Sequence, residues 1–232
     1  MSGKTYTHSF STDPGGWHNI HNNFDGPKRL EIRNGLVSRS PWWVDYNHAP
    51  PGAGYLHMLY VLPTKGPGLG EAIMVAGGRN GFIEGGFPTD FTNASLTFRL
   101  QGEIETRGAN LVLLINSKMN GLTAGWALTG SPLRVLPELS EQTIRAVPDP
   151  SQWTCLGGRH DRQRTYGKVD LDAALRDVNG NIMLILFPLN VVPMGPLHGD
   201  PHLLRAGKDY PVWMSRLPEG YVVLNDVRIE FP

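Results

Sequence analysis

The chain has 232 residues, and Lys plus Arg equals Asp plus Glu at 21 each, so its formal charge at pH 7 is zero. A balanced charge supplies no general field toward nucleic acid or an anionic membrane, and neither is expected as a partner. A single cysteine, Cys155, excludes an internal disulfide framework and leans cytoplasmic. Residues 1–20 lack the apolar core of a signal peptide, and no apolar run is long enough to span a membrane.

Glycine at 28, proline at 19 and a hydrophobic share of 40% point to many turns and short strands around one core, hence a single domain over 1–232. Four Asn-Gly pairs, Asn34-Gly35, Asn80-Gly81, Asn120-Gly121 and Asn179-Gly180, are suited to tight turns with positive φ. The segment from Ser40 to Leu59 is the densest in ligand-type side chains. Pro50-Pro51-Gly52-Ala53-Gly54 is stiff at its start and permissive at its end, and it leads into a strand beginning at Tyr55. Alternation then sets Leu56, Met58, Tyr60 and Leu62 on a core face, with Tyr55 and His57 on the other, where His57 would line a concave surface.

Further along, Ser95–Gln101 alternates as a half-buried strand with Leu96, Phe98 and Leu100 inward. Leu111–Ile115 and Ile182–Phe187 are continuous apolar runs that fit strands buried on both faces. Val169–Asp177 reads as one or two helical turns capped by Asp170. Pro193–Tyr210 carries Met194, Leu197, Leu203 and Leu204 and is a candidate lid loop. The chain closes on a strand that alternates Val227, Ile229 and Phe231 with Asp226, Arg228 and Glu230, and Val222–Leu224 extends it upstream.

Dense strands with little helix define an all-β class, an antiparallel β-sandwich of jelly-roll type. Three stretches, Phe10–Trp17, Pro148–Thr154 and Asn225–Ile229, resemble the galactose-binding-like carbohydrate-binding-module jelly rolls, a pattern spread over nearly the whole chain. The resemblance implies carbohydrate binding and a structural calcium ion joining the first strand to the last. Asp226 matches the last-strand carboxylate, and Asp13 is the nearest first-strand candidate.

Aromatic rings give sugars and other ring-bearing ligands a flat apolar platform, and polar groups at the rim orient them. Trp42, Trp43, Tyr46 and Tyr55 are the platform candidates, with Asp45, Asn47, His48 and His57 around them and His160 and Asp161 as a second polar cluster. Adjacent tryptophans in a strand face opposite ways, so one of Trp42 and Trp43 belongs to the core under the competing packing reading, which also makes His57 a satisfied buried histidine. The same residues could serve acid–base chemistry, with His48 or His57 as general base and Asp45 as orienting group or acid.

The pairs His18 with His21 and His198 with His202 lack the helical register of a zinc motif and read as loop histidines. Phosphate-binding, nucleophile-elbow and dinucleotide motifs are absent, as is the paired-carboxylate pattern of sandwich glycosidases. Three function classes stay open, of which the first two are a binding domain for a carbohydrate or similar small molecule that needs no cofactor beyond the calcium, and an enzyme (lyase, isomerase, cyclase or unusual hydrolase) on the same scaffold. A structural subunit is the third.

Overall fold

The computed structural model describes residues 3–22, 26–42, 44–45, 56–66, 76–156, 165–188, 194–196 and 217–232. Two of the Asn-Gly pairs form the hairpins their chemistry favours. Asn120 and Gly121, at φ 51° and 80°, turn β9 (Ala109–Met119) into β10 (Leu122–Ala127), and Asn34 and Gly35 turn β4 (Glu31–Ile32) into β5 (Leu36–Arg39).

The other two pairs do different work. Asn80 is extended, and its side-chain oxygen caps α1 (Gly81–Glu84) by accepting from the Phe82 and Ile83 amides. Asn179 lies between α2 (Leu171–Arg176) and β13 (Asn181–Pro188), where its side-chain amide bonds both the N–H and the carbonyl of Lys118. Its side chain thereby takes the place of a strand residue.

The architecture is all-β, with two antiparallel six-stranded sheets. In the first, β11 (Ser140–Arg145), β8 (Ser95–Glu105), β14 (Glu219–Glu230), β5 and β4 lie in that order. β1 (Thr5–Ser9) also pairs with β14, so the first strand joins the last. In the second sheet the order is β12 (Thr154–Cys155), β10, β9, β13, β7 (Leu56–Pro63) and β6 (Val44–Asp45). A two-stranded sheet of β2 (Asn19–Asn22) and β3 (Gly26–Lys28) completes the set. Helix 171–176 begins at Asp170, whose carboxylate accepts from the Ala173 amide, and it buries Leu171, Ala174 and Leu175, as their spacing requires. No described helix is long and apolar enough to cross a membrane.

The main core lies between the sheets. Leu96, Phe98 and Leu100 of β8 and Val222, Leu224, Val227 and Ile229 of β14 meet Leu111, Leu113 and Ile115 of β9 and Ile182, Leu184 and Leu186 of β13. The residues between these on β9 and β13, namely Val112, Leu114, Met183, Ile185 and Phe187, belong to a second buried cluster on the far side of the second sheet. Two-sided burial is why these strands read as unbroken apolar runs. At about 1.5–3 kcal/mol per fully buried large aliphatic side chain, this doubled layer is a principal source of the sheet's stability.

Tyr60 ties the two sheets together. Fully buried on β7, its hydroxyl lies 2.8 Å from the Leu36 carbonyl and 2.6 Å from that of Val222, on two strands of the opposite sheet. Burial holds its pKa well above the ordinary tyrosine value.

Candidate functional site

The strand predicted from Tyr55 forms from Leu56, but its phase changes midway. Tyr60 stands opposite Leu184 while Met58 stands opposite Ile185, so Leu59 is an extra, bulged residue. Beyond the bulge Tyr60 and Leu62 face the inter-sheet core, whereas Leu56 and Met58 lie in the far-side cluster. His57 is register partner to Leu186, a core residue, and is 1% exposed. The expectation that His57 lines an open concave face is thereby corrected: the bulge breaks strict alternation and turns its ring into the sandwich.

Trp42 is corrected likewise. It is 4% exposed, and its indole N–H donates to the Ser38 hydroxyl at 2.9 Å. Trp17, Trp126 and Trp153 are buried too, each with its indole N–H bonded, to the Tyr6 hydroxyl, the Val169 carbonyl and the Val147 carbonyl. Among the described residues no tryptophan offers an exposed platform. Asp45 lies in β6 opposite Leu56. Trp43, Tyr46, Asn47, His48, Tyr55, His160 and Asp161 lie outside the described residues, as does the lid segment 193–210 apart from 194–196. His18 is no loose loop histidine. Its backbone bridges Val61 in both directions, and burial lowers its pKa to about 4.

The proposed calcium carboxylates are engaged separately. Asp13 accepts from the Gly15 amide at 2.8 Å within its own turn, and Asp226 pairs with Arg99 at 3.0 Å. No metal-type cluster of three such residues occurs among the described ones.

What the first sheet does assemble is a groove of about 280 Å³ on its outer face, lined mostly by residues with polar or charged side chains. Its floor is built from rows that cross the strands. Thr7, Arg228, Thr97 and Thr143 are successive register partners on β1, β14, β8 and β11, and Ser9, Asp226, Arg99 and Glu141 form the next row. Alternation places these side chains outward because Leu96, Phe98, Val227 and Ile229 between them face the core.

A bulge makes the groove possible. Leu224 is opposite Leu100 and Asp226 opposite Arg99, so Asn225 is the extra residue in β14. Before it the even-numbered Val222 and Leu224 face inward, and after it the odd-numbered Val227 and Ile229 do. Were the strand to alternate strictly through Asn225, with no bulge, Asp226 and Arg228 would point into the core. Asn225 is held by accepting from the Phe10 amide at 3.1 Å and by a side-chain bond to the Asn34 carbonyl.

The chemistry of the groove is mixed. Arg99 and Arg228 are donors, Asp226 and Glu141 acceptors, and Thr7, Ser9 and Thr97 can do either. The Thr97 and Thr143 hydroxyls are bonded to each other at 2.8 Å, which fixes one end of the row. Of these residues only Asp226 stands among the sequence-derived candidates. The outward alternation of Thr97 and Arg99 is visible in the sequence, but the alignment of four strands that brings them beside Asp226 is not.

No family model, curated protein or solved structure matches the chain.

Proposed function

We propose that the protein is a carbohydrate-binding β-sandwich, of the galactose-binding-like jelly-roll kind, whose ligand lies in the groove on the outer face of the first sheet. The pairing of β1 with β14 supports the jelly-roll reading, since it joins the two chain ends within one sheet. The observation that carries the functional reading is the row of Ser9, Asp226, Arg99 and Glu141 beside the hydroxyls of Thr7 and Thr97. Sugar hydroxyls donate and accept at once, and a surface that alternates guanidinium, carboxylate and hydroxyl groups satisfies both roles in a small area. The volume is close to the roughly 300 Å³ lower end of small-molecule sites, a size suited to a mono- or disaccharide.

Two oppositely charged pairs leave the groove without net charge, which favours neutral sugars over strongly acidic ones.

Calorimetric titration with a panel of neutral and uronic mono- and disaccharides tests the reading. Binding should appear for a neutral sugar and weaken about tenfold or more in Arg99→Ala. A panel with no binder, or a binder indifferent to Arg99→Ala and Asp226→Asn, would rule the groove out as the site.

A further inference from the structure

The first sheet ends on β11, and among the described residues β11 pairs only with β8. The direction of its free backbone groups follows from the ladder. The Ala146 amide donates to Ala94 and its carbonyl accepts from Asn93, so Ala146 directs its backbone toward the neighbouring strand. Antiparallel ladders alternate, so Ile144, Gln142 and Ser140 do the same, while Glu141, Thr143 and Arg145 direct N–H and C=O away from the sheet. These three residues are also exposed.

Such an edge invites another strand unless something blocks it. Here nothing blunts it by proline or by an inward-pointing charge. Instead the exposed pattern is its own complement. About a two-fold axis through Thr143, Glu141 falls opposite Arg145 of a second copy, and Arg145 opposite Glu141. Leu139, 42% exposed, falls opposite the half-buried Val147.

We propose that two copies of this chain pair antiparallel through β11, with Thr143 opposite Thr143. Each of the three pairs exchanges both of its backbone hydrogen bonds. The Arg145 carbonyl already accepts from Val147 at 3.0 Å but has a second lone pair for its partner. Unlike charges stand directly opposite, the favourable arrangement for cross-strand neighbours. A slip that set Glu141 against Glu141, or Arg145 against Arg145, would oppose like charges, so the pattern selects one register. The two first sheets then become one continuous sheet, and the row that ends in Glu141 runs on into Arg145 and Ser95 of the second copy. The interface is closed by its symmetry and does not propagate.

Sedimentation equilibrium on the full chain across the micromolar range tests this. The wild type should show a monomer–dimer equilibrium. Glu141→Arg alone and Arg145→Glu alone each place like charges opposite one another and should raise the dissociation constant about tenfold or more. The double exchange restores opposite charges and should return the constant to near the wild-type value, which no general folding defect could do. A wild type that stays monomeric, a dimer unmoved by the single exchanges, or a double exchange that fails to recover would each overturn the proposal.

Discussion

Arg99 and Asp226 stand directly opposite on β8 and β14, with guanidinium and carboxylate 3.0 Å apart. Their side chains are 45% and 35% exposed, so water screens the pair and its share of folding stability is about 1 kcal/mol or less. Its value lies in where it points. Arg99→Ala should therefore lower the urea midpoint only slightly while weakening sugar binding about tenfold or more. An equal loss of both would mean that the pair is structural.

The bulge absorbs Asn225 as an extra residue, and so keeps Asp226 and Arg228 on the solvent face of β14. Deleting it should close the bulge and set Asp226 directly after Leu224 in a regular ladder, with Asp226 and Arg228 still outward and Val227 and Ile229 still inward. The deletion should therefore keep cooperative unfolding, as read by circular dichroism, and cost about 1–3 kcal/mol through the lost bonds to the Phe10 amide and the Asn34 carbonyl. Asn225→Ala keeps the extra residue and should retain the fold at a cost of about 1 kcal/mol, chiefly from losing the bond to the Asn34 carbonyl.

Tyr60→Phe removes one hydroxyl and leaves the Leu36 and Val222 carbonyls without it. The expected loss is about 1–3 kcal/mol of unfolding free energy, with no change in groove affinity because the hydroxyl lies inside the sandwich. Chemical denaturation with parallel titration separates the two effects.

His18 gives the fold an acid limit. Its pKa in the native protein is lowered from 6.5 to about 4, chiefly by burial, so between these values the unfolded chain takes up a proton that the folded one refuses. Stability attributable to this group is present above pH 6.5 and is lost as the pH falls toward 4, a change of about 3 kcal/mol at most. Asp177 adds to the trend at lower pH. Burial works against its carboxylate, but bonds from Thr89 and Asn179 and the nearby Lys65 outweigh that and hold its pKa below the ordinary value. Urea midpoints measured from pH 7 to pH 4 should fall, and fall less in His18→Gln.

Much of the fold was legible because local chemistry and tertiary structure agree. The apolar runs of β9 and β13, the Asp170 cap and the Asn120-Gly121 turn each follow from a few adjacent residues. What escaped were the bulges at Leu59 and Asn225, since one extra residue changes no composition yet reverses the parity of every side chain after it. The shift from inward Val222 and Leu224 to inward Val227 and Ile229 does leave a trace in the sequence, an apolar period that changes parity. At β7 the residues on both sides of the bulge are apolar, so no such trace marks His57. The groove was missed for a further reason: its residues come from four strands, and spacing along one strand does not reveal neighbours across a sheet.

The unequal treatment of the two sheets bears on how this protein can change over time. The second sheet is packed on both faces, so a substitution at Val112 or Ile185 meets close neighbours whichever way it points. On the first sheet, Thr7, Arg99, Glu141 and Arg228 are anchored by inward partners yet stand free of packing themselves. Such positions can be exchanged for others of different size or charge with little loss of stability, so specificity can drift on one face while the rest of the molecule holds the shape that presents it.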